Sequence, residues 1–273
     1  MTFSATSAFD PSLSVSRRSN YALQAMDEDS FVGVVIEGQP ARPHYFEFDA
    51  RRNRELVPSL EETPPPLLGI DEVLAFAARG ALLLDAREPA DFAAGHLRGA
   101  VNIALQGRFA EWAGAVLSPA REIVLVGDPV LALEARVRLA RVGYDNVVGQ
   151  LDDPGAVFTA RPELLESSSR LTIEQLAVLR GLEPTLQLVD VRGPGETEHG
   201  TLPGAREIPL AVLTESLAAL DRTAAVVVYC AGGTRSQVGA SVLREAGFED
   251  VSDLLGGYNA WEGAGLPVVK QGL

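Results

Sequence analysis

The sequence predicts an α/β protein made of two copies of one parallel-sheet fold, each a three-layer α/β/α arrangement with helices on both faces of the sheet. Three observations lead there. Residues 85–105 overlie residues 190–210 without a gap: Asp85, Arg87, Pro89, Gly95, Leu97, Gly99, Ala100, Ile103 and Leu105 each recur 105 positions later. Self-similarity at a domain-sized period means duplication rather than a solenoid. Residues 122–126 (Glu-Ile-Val-Leu-Val) and 224–229 (Ala-Ala-Val-Val-Val-Tyr) are short, mostly β-branched apolar runs of the kind buried on both faces of a parallel sheet. Such runs alternate with segments of helical periodicity, the pattern of strands joined by crossover helices.

Taken in chain order, Phe31-Val-Gly-Val-Val-Ile-Glu-Gly begins like an apolar helix or strand. Residues 43–54 mix aromatics with charge, and Pro64-Pro65-Pro66 closes the region as a stiff linker. The expected division is an N-terminal extension and linker over residues 1–64, a first copy over 65–155 and a second over 165–273. In the first copy the strand 122–126 runs into Gly127-Asp128-Pro129, and Gly143-Tyr144 matches Gly247-Phe248 of the second. In the second copy Thr172 with Gln175 makes a capping box opening a helix to about Arg180. Strands follow near 186–191 and 206–208, with helices near 211–220 and 236–246. Val238, Val242 and Leu243 recur at helical spacing in the last of these, and Gly247 supplies its stop.

The only cysteine, Cys230, falls where the strand 224–229 ends and this last helix begins. In open parallel sheets ligands bind beyond the carboxyl ends of the strands. Gly232 and Gly233 let the backbone curl around the sulfur so that successive N–H groups point inward, an anion-binding nest at a helix N-terminus. A thiol in that setting is favoured as the thiolate, the nucleophilic form, and Arg235 adds a charge that does not deprotonate. The bland alternative, a buried small hydrophobe, fits a lone cysteine but leaves the glycine loop unexplained.

The run Cys-Ala-Gly-Gly-Thr-Arg-Ser (230–236), the later Asp-Leu-Leu-Gly-Gly-Tyr-Asn-Ala-Trp (253–261), and Asp190-Val191-Arg192 followed by Pro203-Gly204-Ala205 together resemble the rhodanese family of sulfurtransferases. The resemblance implies two rhodanese-like domains, of which the second is catalytic. Cys230 would attack the outer sulfur of a small anionic donor, thiosulfate or a persulfide, and pass it to a thiol or cyanide acceptor. Backbone N–H groups of Ala231, Gly232, Gly233, Thr234 and Ser236 would hold the terminal sulfur. Arg235 would fix the loop and attract the donor, while Asp190 and Arg192 would brace it as a buried ion pair. No cofactor is implied. His96 reads as a local residue bonded to a backbone carbonyl, Tyr258 and Trp261 as core, and His199 receives no role, because it precedes its glycine where relatives place histidine after it. The first copy has neither cysteine nor arginine in its matching loop, and Asp128 and Pro129 disfavour an anion there, so it reads as inactive.

Residues 20–53 resemble the seam at which a metallo-β-lactamase-fold persulfide dioxygenase is fused to tandem rhodanese domains. The dioxygenase's iron motif is absent, because His44, His96 and His199 are the only histidines and stand far apart. No metal is therefore expected, and a separate persulfide-metabolising protein becomes a conceivable partner. Two rival classes stay open: a sulfur-carrier or interaction module, and a cysteine phosphatase or arsenate reductase. The latter place five residues between cysteine and arginine, whereas here four intervene, Ala231 to Thr234. The net charge of −14 argues against nucleic acid and anionic membrane surfaces. One cysteine permits no intramolecular disulfide and no apolar stretch spans a bilayer, so the expectation is cytoplasmic.

Overall fold

The structure is a computed structural model that describes residues 20, 24–36, 54 and 63–270. It divides into two units, residues 1–40 and 41–273. In the first, the apolar run from Phe31 forms helix α1, Glu28–Ile36. Of the expected seam over residues 20–53, everything except Asn20 and residues 24–36 lies outside the described residues, as does most of the segment 43–54.

The second unit holds both copies. The first comprises β1 (Leu67–Leu68), α2 (Ile70–Ala78), β2 (Leu82–Asp85), α3 (Pro89–Ala94), β3 (His96–Leu97), β4 (Val101–Asn102), α4 (Phe109–Val116), β5 (Ile123–Val126), α5 (Pro129–Ala140), β6 (Val147–Leu151) and α6 (Pro154–Ala160). After β7 (Leu165–Glu166), the second comprises β8 (Ser169–Leu171), α7 (Ile173–Leu182), β9 (Gln187–Asp190), α8 (Pro194–Thr197), β10 (Ala205–Glu207), β11 (Val226–Tyr229), α9 (Thr234–Glu245), β12 (Val251–Leu254) and α10 (Gly257–Gly263). Each copy builds a five-stranded, all-parallel sheet. The orders β1-β6-β5-β2-β4 and β8-β12-β11-β9-β10 are the same topology twice. β3 and β7 form a separate antiparallel pair.

Strand alternation explains the layers. Leu82, Leu84, Ile123 and Leu125 of the first sheet share one cluster with Val189, Val226 and Val228 of the second, and with Phe109, Leu139, Val238 and Leu243 from α4, α5 and α9. Those three helices fill the space between the sheets. The intervening strand residues point outward: Leu83, Val124 and Val126 pack on Val73 and Phe92, and Leu188, Val227 and Tyr229 on Leu176 and Trp261. A side chain exposed on neither face is why these strands read as unbroken apolar runs. Both copies thus share one middle layer, and the Asn102 N–H donates to Ser241 Oγ at 3.0 Å to join β4 to α9.

The Thr172–Gln175 capping box forms, and its helix runs on to Leu182. One expectation fails. Residues 211–220 do not form an α-helix but two short 3₁₀ turns, Leu210–Val212 and Leu217–Ala219. Leu210, Leu213 and Leu220 are the buried residues there, and their spacing suits a chain crossing the sheet edge in tight turns. The last crossover helix also starts at Thr234, two residues before Ser236.

Candidate active site

Chemistry collects at the carboxyl edge of the second sheet. β11 delivers Cys230 directly after Tyr229, and the chain turns through Ala231, Gly232 and Gly233 into α9. Gly233 caps that helix at φ +98°, a left-handed backbone that glycine adopts without cost, and a Cβ on it would stand 3.2 Å from Gly256 N. Cys230 is 2% exposed. Its Sγ accepts the Gly233 N–H at 3.2 Å, and the thiol donates to Ser236 Oγ at 3.7 Å. Of the loop residues named from the sequence, Gly233 and Ser236 therefore touch the sulfur. Thr234 begins α9, a Cβ on Gly232 would meet open space, and the Ala231 carbonyl is turned away to accept the Asn259 N–H.

The loop is clamped from outside by α10. The Tyr258 N–H donates to the Cys230 carbonyl at 2.7 Å and the Asn259 N–H to Ala231 at 3.0 Å. Gly257, at φ +54°, makes this approach possible: a Cβ there would overlap the Cys230 carbonyl and sit 2.9 Å from that of Ala231. Tyr258 and Trp261 themselves are buried core, with Trp261 Nε1 donating to the Pro267 carbonyl. His199 contributes only its carbonyl, which accepts the Tyr258 hydroxyl.

Arg235 does not stand free. Its Nη1 and Nη2 donate to Glu196 Oε2 and Oε1, both at 2.6 Å, in a two-pronged pair whose side chains are 23% and 41% exposed. Glu196 also accepts the Gly193 N–H. The guanidinium holds the Glu196 carboxyl below its ordinary range, and Glu196 first, then Cys230, strengthen the charged form of Arg235. Sequence reasoning missed Glu196 as a partner of the loop. A signal was present: 105 positions earlier stands Asp91, so both copies keep an acid there.

Asp190 and Arg192 form the buried ion pair expected of them, with Arg192 Nη2 at 2.7 Å from Asp190 Oδ2. Arg192 also donates to the carbonyls of Gly200 and Glu196, so it braces the segment carrying Glu196 rather than the cysteine loop itself. Asp85 and Arg87 repeat the arrangement in the first copy, down to the bond from Arg87 Nη2 to Gly95 O. A pair kept where there is no cysteine is scaffolding. His96 behaves as its surroundings suggested: Nδ1 lies 2.8 Å from the Phe92 carbonyl, and the ring stacks on Phe92.

In the first copy Val126 pairs with Asp85 as Tyr229 pairs with Asp190, which puts Gly127 where Cys230 stands. Only Gly127 and Asp128 separate strand from helix there, against residues 230–233 in the second copy. The place of Arg235, second in its helix, is taken by Val130, which is 78% exposed.

A sequence profile described as "Rhodanese-like domain" matches residues 70–153 and 172–264. The chain belongs to the rhodanese-like family. Among rhodanese relatives, a sulfurtransferase of Allochromatium vinosum is 35% identical over 82 residues, covering 30% of this chain and 77% of that protein. Thiosulfate sulfurtransferase GlpE of Pseudomonas aeruginosa is 35% identical over 96 residues, 35% of this chain and 86% of its own. A crystal structure of thiosulfate sulfurtransferase from Pseudomonas aeruginosa aligns at 26% identity over 75% of this chain and 43% of that one, with a TM-score of 0.34. The two profile matches make the chain a tandem member of the rhodanese-like family, whose relatives include sulfurtransferases, and among its described residues no helix is long and apolar enough to cross a membrane.

Proposed function

We propose that this protein is a thiosulfate or persulfide sulfurtransferase working through a persulfide on Cys230. The observation that carries the reading is the placement of the only cysteine under the Gly233 N–H and beside Ser236 Oγ, at the head of a twelve-residue helix. As the thiolate, Sγ attacks the outer sulfur of thiosulfate. A new S–S bond forms, the donor's S–S bond breaks, and sulfite leaves with the electron pair. The terminal sulfur then carries the negative charge, where the N–H, the hydroxyl and the N-terminus of α9 stabilise it. A thiol or cyanide acceptor attacks that terminal sulfur, removes it and returns the Cys230 thiolate.

The loop length favours sulfur over phosphate chemistry, since four residues between Cys230 and Arg235 close a small nest around one atom. Arg235 sits within that nest's rim with its charge already countered by Glu196, so donor recruitment rests on the balance of this pair. The first copy, lacking nucleophile and loop, serves as scaffold. Replacement Cys230→Ser tests the assignment: thiocyanate production from thiosulfate and cyanide should fall below about a hundredth of wild type, because removing a covalent nucleophile costs several powers of ten. Residual turnover above that level in a folded variant would contradict it.

A further inference from the structure

The arginine expected to recruit an anionic donor carries its own counter-ion. Arg235 Nη1 and Nη2 donate to the two oxygens of Glu196 at 2.6 Å. Glu196 and Cys230 both strengthen the charged form of Arg235, so carboxylate and sulfur share one guanidinium. We infer that Glu196 makes the site selective for a donor with a single negative charge, such as the persulfide of an otherwise uncharged thiol, over dianionic thiosulfate. This selectivity presupposes the sulfur transfer through Cys230 proposed above.

No second cation is left to meet the extra charge. Arg192, the other arginine at this edge, is spent and only 3% exposed: Nε and Nη2 hold Asp190, Nη2 also donates to the Gly200 carbonyl, and Nη1 donates to that of Glu196. The segments around the sulfur, residues 193–201, 230–236 and 255–263, contain no arginine or lysine besides Arg235. They do contain Glu198 and Glu262, both exposed. The donor's charge is therefore met by the Gly233 N–H, the Ser236 hydroxyl and the N-terminus of α9. A helix N-terminus amounts to about half an elementary charge, which suits one anionic sulfur better than a group carrying two charges.

With a persulfide donor, the Cys230 thiolate attacks the terminal sulfur and a new S–S bond forms. The donor's own S–S bond breaks, and its inner sulfur leaves with the electron pair and takes a proton from water to become the thiol. The energy between Glu196 and a donor scales with the product of their charges. Removing the carboxylate should therefore help a dianion by the square of the factor by which it helps a monoanion.

Thiosulfate and methanethiosulfonate are the probes, since both give up an outer sulfur but carry two and one negative charges. Intact mass of the full chain, followed over time at sub-saturating donor, gives the rate constant for each to add one sulfur atom to Cys230. Glu196→Gln should raise the thiosulfate constant by roughly two- to fivefold and the methanethiosulfonate constant by only its square root, 1.4- to 2.2-fold. Raised salt should shrink the difference between variant and wild type. Glu196→Asp keeps the charge and should keep the wild-type ratio of the two constants, whatever happens to each rate. An equal change for both donors in Glu196→Gln, or a ratio in Glu196→Asp that follows the Gln variant, would overturn the inference and leave the carboxylate a positioning role. Failure of both donors to add sulfur to the wild type would instead overturn the sulfurtransferase reading itself, so the two failures are told apart.

Discussion

At the scale of single residues, the least expected feature is that the arginine of the cysteine loop is already paired. Glu196 and Arg235 share two hydrogen bonds of 2.6 Å, and the pair is partly open to solvent. Pairs this exposed are worth little to stability, about 1 kcal/mol at most, so its consequence falls on binding. Glu196→Gln keeps an acceptor for Arg235 while removing the negative charge beside an anionic donor's path. KM for thiosulfate should then fall by roughly two- to fivefold, which is about 0.4–1 kcal/mol. A rise in KM would show that the carboxylate's main service is to hold the guanidinium over the sulfur. Neither pairing nor burial of Arg235 was readable from spacing, because its partner lies 39 residues away on another crossover.

At the scale of elements, α10 sets the shape of the cysteine loop. Its first two N–H groups after Gly257 hold the Cys230 and Ala231 carbonyls outward, leaving the loop N–H groups free to turn in. Gly257→Ala would drive a Cβ into the Cys230 carbonyl at a backbone angle, φ +54°, that alanine resists. Turnover should fall on the order of 10- to 100-fold from displacement of the sulfur alone. Unchanged turnover in that variant would show that the clamp does not govern the loop. The Gly-Gly pair was visible in the sequence as part of a resemblance, but its contact with Cys230 was not, since it depends on β11 and β12 lying side by side. Most of the rest was legible for local reasons: strands buried on both faces announce themselves, and so does the Thr172–Gln175 box. Residues 211–220 misled because leucines spaced for burial in successive tight turns mimic helical spacing.

At the scale of the whole molecule, the two copies are held by one middle layer, so the first copy supports the cysteine-bearing one through α9. Cys230 belongs to the same apolar cluster as Leu84 and Leu125 of the first sheet. A second tie is the short β3–β7 pair, where His96 Nε2 lies 3.4 Å from Glu166 Oε1. Burial lowers the His96 titration, with the Phe92 carbonyl and Glu166 pulling the other way. The folded chain therefore keeps this ring neutral where the unfolded chain, near its ordinary 6.5, takes up a proton. The unfolded state binds more protons, so stability is lost as pH falls below about 6.5, by at most about 1.4 kcal/mol per pH unit. His96→Phe keeps the stacked ring and should flatten the melting-temperature profile between about pH 6.5 and 5 relative to wild type; parallel profiles would show that His96 titrates alike in both states. The central claim concerns Cys230, and intact mass after exposure to thiosulfate tests it most directly. Wild type should gain one sulfur atom, lose it on treatment with cyanide or a thiol, and Cys230→Ser should gain none. A wild-type mass that stays unchanged, or a gain that persists in Cys230→Ser, would contradict the account.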